Sequence, residues 1–209
     1  MNSKRPLKSK FCARMQWLRL LLGPAMLIIT GSPSASPIYH DISVCHGFNC
    51  RITSTISLSS SEWNSVIGWL KDPAQDAKSE RDHIRHAIGW MEVIVGRHGP
   101  GREDRALDLQ YVSSRIGQMD CIDESINTSN YLKMFEQENL LRWHRVVERI
   151  QRRALFDAHW ASQIEEIASG VRYVIDSWFH DNGMLPNVQK TLDWKDIPFF
   201  TALRDNSKN

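Results

Sequence analysis

Three residues have the types needed for nucleophilic catalysis. Cys121 closes Gly117-Gln118-Met119-Asp120-Cys121, His159 sits in Asp157-Ala158-His159-Trp160, and Asp176 sits in Tyr173-Val174-Ile175-Asp176-Ser177-Trp178. A thiol, an imidazole and a carboxylate, taken in that order, make a nucleophile, its base and the group that orients the base. The imidazole takes the thiol proton, the thiolate attacks an amide carbonyl, and the imidazolium returns the proton to the leaving amine. Neither a Cys nor a His carries that meaning alone, so the elements around them have to bring them together.

The sequence predicts a helix from about 121 to 139, with Asp120 as its N-cap and Asp123 placed to complete a capping box. Cys121 then occupies the first turn, where backbone N–H groups and the helix dipole favour a thiolate and can serve an oxyanion. Asp120, Asp123 and Glu124 act against a second negative charge there, so an imidazolium partner is required. Steps of three or four from Cys121 reach Ser125, Thr128, Leu132 and Phe135. That taper from small to large lets the Cys end of the helix approach a sheet closely.

Strands are expected near 141–148, 154–165 and 171–179. With a four-residue turn over 166–169, opposed residues of the last two strands carry numbers adding to 335, and His159 faces Asp176. Their Cβ atoms would then be about 4.5–5.5 Å apart. The other face would set Trp160 against Ile175 and Ile164 against Val171, and a one-residue slip would scramble both faces. The same pairing also suits an ordinary cross-strand ion pair worth about 0.2–1 kcal/mol.

Upstream, 42–58 reads as a hairpin and Ser59-Ser60-Ser61-Glu62 as a capping box opening a helix through Leu70. Asp72-Pro73 ends that helix, and a longer one follows over about 76–96 with the apolar stripe Ile84, Ala87, Ile88, Met91, Ile94 and Val95. After Asn182-Gly183 the tail reads as loop, with Trp194 and Phe199-Phe200 as core plugs. Helices preceding an antiparallel sheet make an α+β domain.

The first 35 residues contain six basic side chains (Lys4, Arg5, Lys8, Lys10, Arg14, Arg19) and no acidic one, then an apolar run over 20–29 and Gly31-Ser32-Pro33-Ser34-Ala35-Ser36. This is the pattern of a secretory signal peptide over 1–35, with Met15 as an alternative start and an uncleaved anchor as the rival reading. The run is shorter than the roughly 20 residues that span a bilayer. The expected mature chain, 36–209, is a single exported domain, periplasmic or secreted, with no stable membrane insertion. The whole chain has 26 basic and 24 acidic residues; without the leader's six, 20 basic residues face 24 acidic ones, which argues against nucleic-acid binding.

Export also sorts the cysteines. Cys12 belongs to the leader, Cys45 and Cys50 flank His46-Gly47-Phe48-Asn49 and are expected to form a disulfide, and Cys121 is left over. An odd thiol in an exported chain is a core residue, an intermolecular link or a nucleophile.

A Cys at a helix start, a His followed by an aromatic residue on a strand 38 residues later, and an Asp 17 residues further on resemble the transglutaminase-like superfamily, which includes exported bacterial cysteine peptidases. The resemblance covers about 117–179, roughly a third of the chain. It implies a papain-like α+β core, with the Cys-bearing helix packed on an antiparallel sheet. It implies Cys121 as nucleophile, His159 as base, Asp176 as orienter and Gln118 as an oxyanion-site residue. Family members often carry His-Ala-Trp, whereas Trp160 here follows His159 directly. The implied substrate is a peptide, a protein or a cell-wall peptide. Water as acceptor makes a peptidase or amidase, and an amine makes a transglutaminase. No cofactor or metal is expected.

Two other readings stay open. One is a catalytically inactive peptide- or protein-binding module on the same scaffold. The other is a metal-binding structural protein using Glu80, His83 and His86, or His40, Asp41 and His46, although solvated surface is the simpler reading for the Glu80 helix. Asn127-Thr128-Ser129 matches a glycosylation sequon but falls inside the predicted helix.

Overall fold

Two strands, β1 (Ile38–His46) and β2 (Ile52–Ser59), open the fold. Three helices follow, α1 (Ser60–Lys71), α2 (Ala77–Arg97) and α3 (Cys121–Gln137). Four further strands, β3 (His144–Ala154), β4 (Asp157–Glu166), β5 (Arg172–Asp176) and β6 (Asn187–Lys190), lead into the short helix α4 (Thr191–Asp196). This computed structural model describes residues 38–107, 117–154 and 157–196. The leader read over 1–35, with Cys12 and Met15, lies outside the described residues, as does Phe199-Phe200.

The class is α+β. β1 and β2 form an antiparallel ribbon, and β3-β4-β5-β6 form an antiparallel sheet in sequence order. The helix starts are set locally, and the capping boxes of α1 and α3 are those their sequences predict. Ser59 and Glu62 form a capping box on α1, Asp76 and Ser79 one on α2, and Asp120 and Asp123 one on α3. The apolar stripe of α2 is wholly buried, and it joins Ile42, Val44, Ile56 and Leu58 of the ribbon and Leu132 and Phe135 of α3 in one core. The taper along α3 is buried as well: Ser125 and Thr128 lie at the narrow end, and Ser162 of β4 bonds both the Ser125 carbonyl (3.0 Å) and Ser129 Oγ (3.2 Å). Small side chains there let the helix rest directly on the sheet.

Four sequence expectations change. The β4–β5 turn is one residue later, over 167–170, because Gly170 takes a left-handed conformation (φ +69°) that suits glycine and that a paired strand position would not provide. Ser162 therefore opposes Ile175 and Glu165 opposes Arg172, a two-residue offset from the predicted register. An even offset keeps every side chain on its predicted face. Trp160 opposes Gln151 of β3, where a core contact with Ile175 was expected, and is half-buried.

β3 continues well beyond 148, and its pairing with β4 shifts between Val147 and Ile150, so that Glu148 and Arg149 bulge opposite Ser162. The tail read as loop contains β6 and α4, because Asn187 to Lys190 complete the pairing of β5. Glu80 is also not solvated surface: it is 2% exposed. Its carboxylate accepts the N–H groups of Arg142 (2.7 Å), Trp143 (2.9 Å) and His144 (3.0 Å) and pairs with His144 Nδ1 at 2.9 Å, fastening α2 to the start of β3. These bonds hold its carboxyl below the usual carboxylate range, although burial acts in the opposite direction. Among the described residues no helix is long and apolar enough to cross a membrane.

Candidate active site

The start of α3 is fixed by a loop that the sequence marks only through its cysteines. The Cys45–Cys50 disulfide is present, and Gly47, Phe48, Asn49 and Cys50 have φ of 81°, 65°, 56° and 51°. Successive left-handed residues aim their N–H groups into one concavity, an arrangement that captures anions. Here the anions are the caps of α3. Asp123 accepts from Phe48 N (2.9 Å) and Cys50 N (2.6 Å), and Asp120 Oδ2 accepts from Asn49 N (2.8 Å). Gly47 N donates to Gln118 O at 2.7 Å. Asn127 completes the attachment, bonding both Cys45 N and Cys45 O at 2.8 Å. The sequon asparagine is thus a buried clip between α3 and β1.

On the sheet, His159 Nε2 and Asp176 Oδ2 are 2.7 Å apart, and both residues are 2% exposed. The observed register makes them diagonal neighbours on one face, a separation that a side chain as long as histidine can bridge. Trp194 donates its indole N–H to the same carboxylate oxygen at 2.9 Å. Trp178, Phe179 and Trp194 surround the imidazole, with ring centroids 4.9, 5.1 and 5.6 Å away. With Nε2 engaged by a carboxylate, the neutral imidazole carries its proton there and Nδ1 is the basic nitrogen. That Nδ1 is buried and has no hydrogen-bond partner among the described residues.

Cys121 is half-buried, and its sulfur lies 3.8 Å from the carbonyl oxygen of Ala158, the residue before His159. The thiol at the start of α3 therefore meets the start of β4. Cys45 and Cys50 are joined, so Cys121 is the cysteine outside a disulfide among the described residues.

The acidic neighbours of Cys121 are less hostile than their number suggests. Glu124 is buried, and burial together with Glu92 and Asp104 raises its pKa well above the usual range, favouring the neutral acid. Burial and the charge of Asp120 raise Asp123 to about 6, although the loop N–H groups oppose the shift. Burial raises Glu92 to about 7. One cation also stands close by. Arg149 donates to Ser125 Oγ at 3.0 Å, one helical turn beyond Cys121, and lies over the Trp160 ring at 5.0 Å.

Gln118 is buried beside α3, and its Nε2 donates to Glu103 O at 2.9 Å. The N–H groups of Ile122 and Asp123 are committed to Asp120 Oδ1 at 3.0 and 2.9 Å, so those two donors of the first turn serve the cap. No protein-family model, curated protein or solved structure matches this chain.

The metal-site candidates do not converge. Glu80 faces β3, His86 stacks on Trp69 at 4.6 Å, and His46 is buried against Ser54 Oγ at 2.9 Å. Among the described residues no group of three His, Cys, Asp or Glu side chains is placed to hold a metal ion. His180, in the turn after β5, bonds Asn187 Oδ1 at 3.1 Å. Trp194 and Arg149 are the neighbours that sequence reasoning missed. Trp194 read only as a core residue, and no local signal marks the bulge that places Arg149.

Proposed function

We propose that this chain is an exported cysteine-dependent acyl-transfer enzyme, a peptidase or amidase on a papain-like core of the transglutaminase-like type. One observation carries the reading. Asp176 holds His159 by Nε2, leaving a buried Nδ1 without a hydrogen-bond partner among the described residues, one residue from the carbonyl that the Cys121 thiol touches. A surface ion pair needs no such arrangement, since burying an imidazole with one nitrogen unsatisfied is costly unless that nitrogen is used.

In this mechanism the thiol leaves its weak contact with Ala158 O and meets His159 Nδ1. Strand alternation places His159 on the face of β4 opposite Ser162 and α3, so substrate binding has to bring the two together. Nδ1 takes the thiol proton, and the sulfur forms a bond to the amide carbonyl carbon. Asp176 stabilises the imidazolium without taking its proton. As the C–N bond breaks, the imidazolium protonates the departing amine, leaving a thioester on Cys121. Water, deprotonated by His159, releases the acid; an amine acceptor at that stage would give transamidation. Gln118 is the side-chain candidate for the oxyanion, because its contact with Glu103 O uses one of its two amide hydrogens.

The test is the pH-dependent alkylation of Cys121 by iodoacetamide in wild type and in His159→Ala, with the disulfide oxidised. Rapid labelling below pH 7 that collapses in the variant supports the reading. An ordinary thiol profile, unchanged in the variant, rejects it in favour of a non-catalytic peptide-binding module.

A further inference from the structure

The bulge in β3 performs a task that an unbroken strand could not. Val147 and Ile150 both pair on the face of β4 that carries Gln163 and Ala161, so the two residues between them, Glu148 and Arg149, sit together opposite Ser162. That is the face on which α3 lies, and Arg149 bonds Ser125 there. Bulges re-aim side chains in this way, often beside active sites.

Arg149 differs from three other arginines near this sheet. Arg81 pairs with Glu166 at 3.0 Å, Arg172 pairs with Glu165 at 2.7 Å, and Arg145 pairs with Glu165 too. Arg149 is half-buried, and Ser125 Oγ is its one hydrogen-bond acceptor among the described residues. A guanidinium offers five donors in a fork that matches a carboxylate. Burial lowers its pKa, whereas Glu148 and Cys121 act to raise it, which places it within electrostatic reach of the thiol. Glu148, its exposed neighbour, makes no ion pair with it among the described residues.

A cavity of about 390 Å³ runs between α3 and β3, lined by Ser129, Lys133, Glu136, Val147, Glu148 and Arg149 among others, so two cations and two carboxylates face it. Its α3 residues lie beyond Ser125, so Arg149 stands at the end nearer Cys121. A chain lying in this groove and reaching the thiol would pass the guanidinium.

We infer that Arg149 is a specificity-determining residue that binds a carboxylate of the acyl-donor substrate, directing Cys121 to amides of acidic peptides. This inference rests on the proposed function, and iodoacetate and iodoacetamide separate the two. In either reaction the sulfur bonds the methylene carbon and iodide leaves, but only iodoacetate carries a carboxylate. The measured quantity is the ratio of the two alkylation rates at Cys121 in wild type, Arg149→Gln and Arg149→Lys, at one pH where all are folded by circular dichroism.

A salt-bridged carboxylate is worth roughly a tenfold change in that ratio, lost in Arg149→Gln and partly kept in Arg149→Lys. An unchanged ratio overturns the inference while leaving a fast, His159-dependent iodoacetamide reaction, and hence the proposed function, intact. Equal loss with both reagents also overturns it, because Arg149 would then act on the thiolate. A slow, His159-independent reaction with iodoacetamide overturns both.

Protection of Cys121 from iodoacetamide by peptides identifies the source of the carboxylate. Protection by a glutamate peptide with an amidated C-terminus, but not by its glutamine counterpart, assigns a side-chain carboxylate. Protection only by free C-termini assigns the main-chain carboxylate and replaces acidic peptides by chain ends as the substrate. No protection by either, at millimolar peptide, counts against the inference.

Discussion

Trp194 Nε1 stands 2.9 Å from Asp176 Oδ2, so a residue of the last described helix fixes the carboxylate that fixes His159. Trp194 is 0% exposed. It serves as a wall against the imidazole and as a donor to the carboxylate. Trp194→Phe keeps most of the wall and removes the donor. We expect Cys121 alkylation to slow by about tenfold, the lower end of what one hydrogen bond to a charged group contributes. Asp176→Asn also removes the preference for one imidazole tautomer, and the loss should be on the order of a hundredfold or more. Equal rates in Asp176→Asn and wild type would reject the orienting role.

The buried carboxyls near α3 should make stability fall as pH rises. Glu92 has its pKa raised to about 7 by burial, against an ordinary value of 4.5. Between those values the folded chain holds a proton that the unfolded chain has released, so folding free energy is lost as pH climbs through about 7. Below about 4.5 both states hold the proton and the contribution is fully present. The change is on the order of 3 kcal/mol. Glu124 and Asp123, also raised, act with the same sign. Urea unfolding at pH 5 and pH 8 should show the difference, and Glu92→Gln should reduce it.

The disulfide should matter to the thiol as well as to stability. Reduction, or the double change Cys45→Ser with Cys50→Ser, releases a short loop and should cost about 2 kcal/mol in urea unfolding. It also frees the N–H groups that hold Asp120 and Asp123, loosening the first turn of α3. Hydrogen exchange at Ile122 and Asp123 should accelerate more than exchange in the middle of α2. Uniform acceleration would show that the loop does not specifically clamp this helix.

Glu80→Gln should be among the most damaging single changes away from the candidate site. The carboxylate accepts three backbone N–H groups and His144 Nδ1 in a buried setting, and an amide cannot accept at both heavy atoms. A loss of about 3 kcal/mol in urea unfolding is expected, with Cys121 labelling by iodoacetamide unchanged in the folded fraction. A loss below about 1 kcal/mol would mean that the anchor contributes little to the fold.

Much of the framework was legible because its causes are local. Asp120 and Asp123 cap α3 within one turn, and the α2 stripe follows helical periodicity through Val95. Pairing Cys45 with Cys50 followed from their close spacing and the expectation of export. His159 and Asp176 could be placed on one face because side chains alternate along strands, a parity that survived a two-residue error in register. That error came from the turn, where the left-handed preference of Gly170 outweighed the apolar pairing assumed for Val171.

What only tertiary structure decided involves partners far apart in sequence, whose meeting no local pattern encodes. Trp194 meets Asp176 across the β5–β6 connection, Glu80 meets the start of β3, and the left-handed loop after β1 grips the caps of α3. The bulge that carries Arg149 toward Ser125 exists because two strand residues face one partner, a mismatch defined only by the pairing itself. Residue types and spacing thus determined which groups could do chemistry. Packing decided which nitrogen of His159 is held, and what stands beside Cys121.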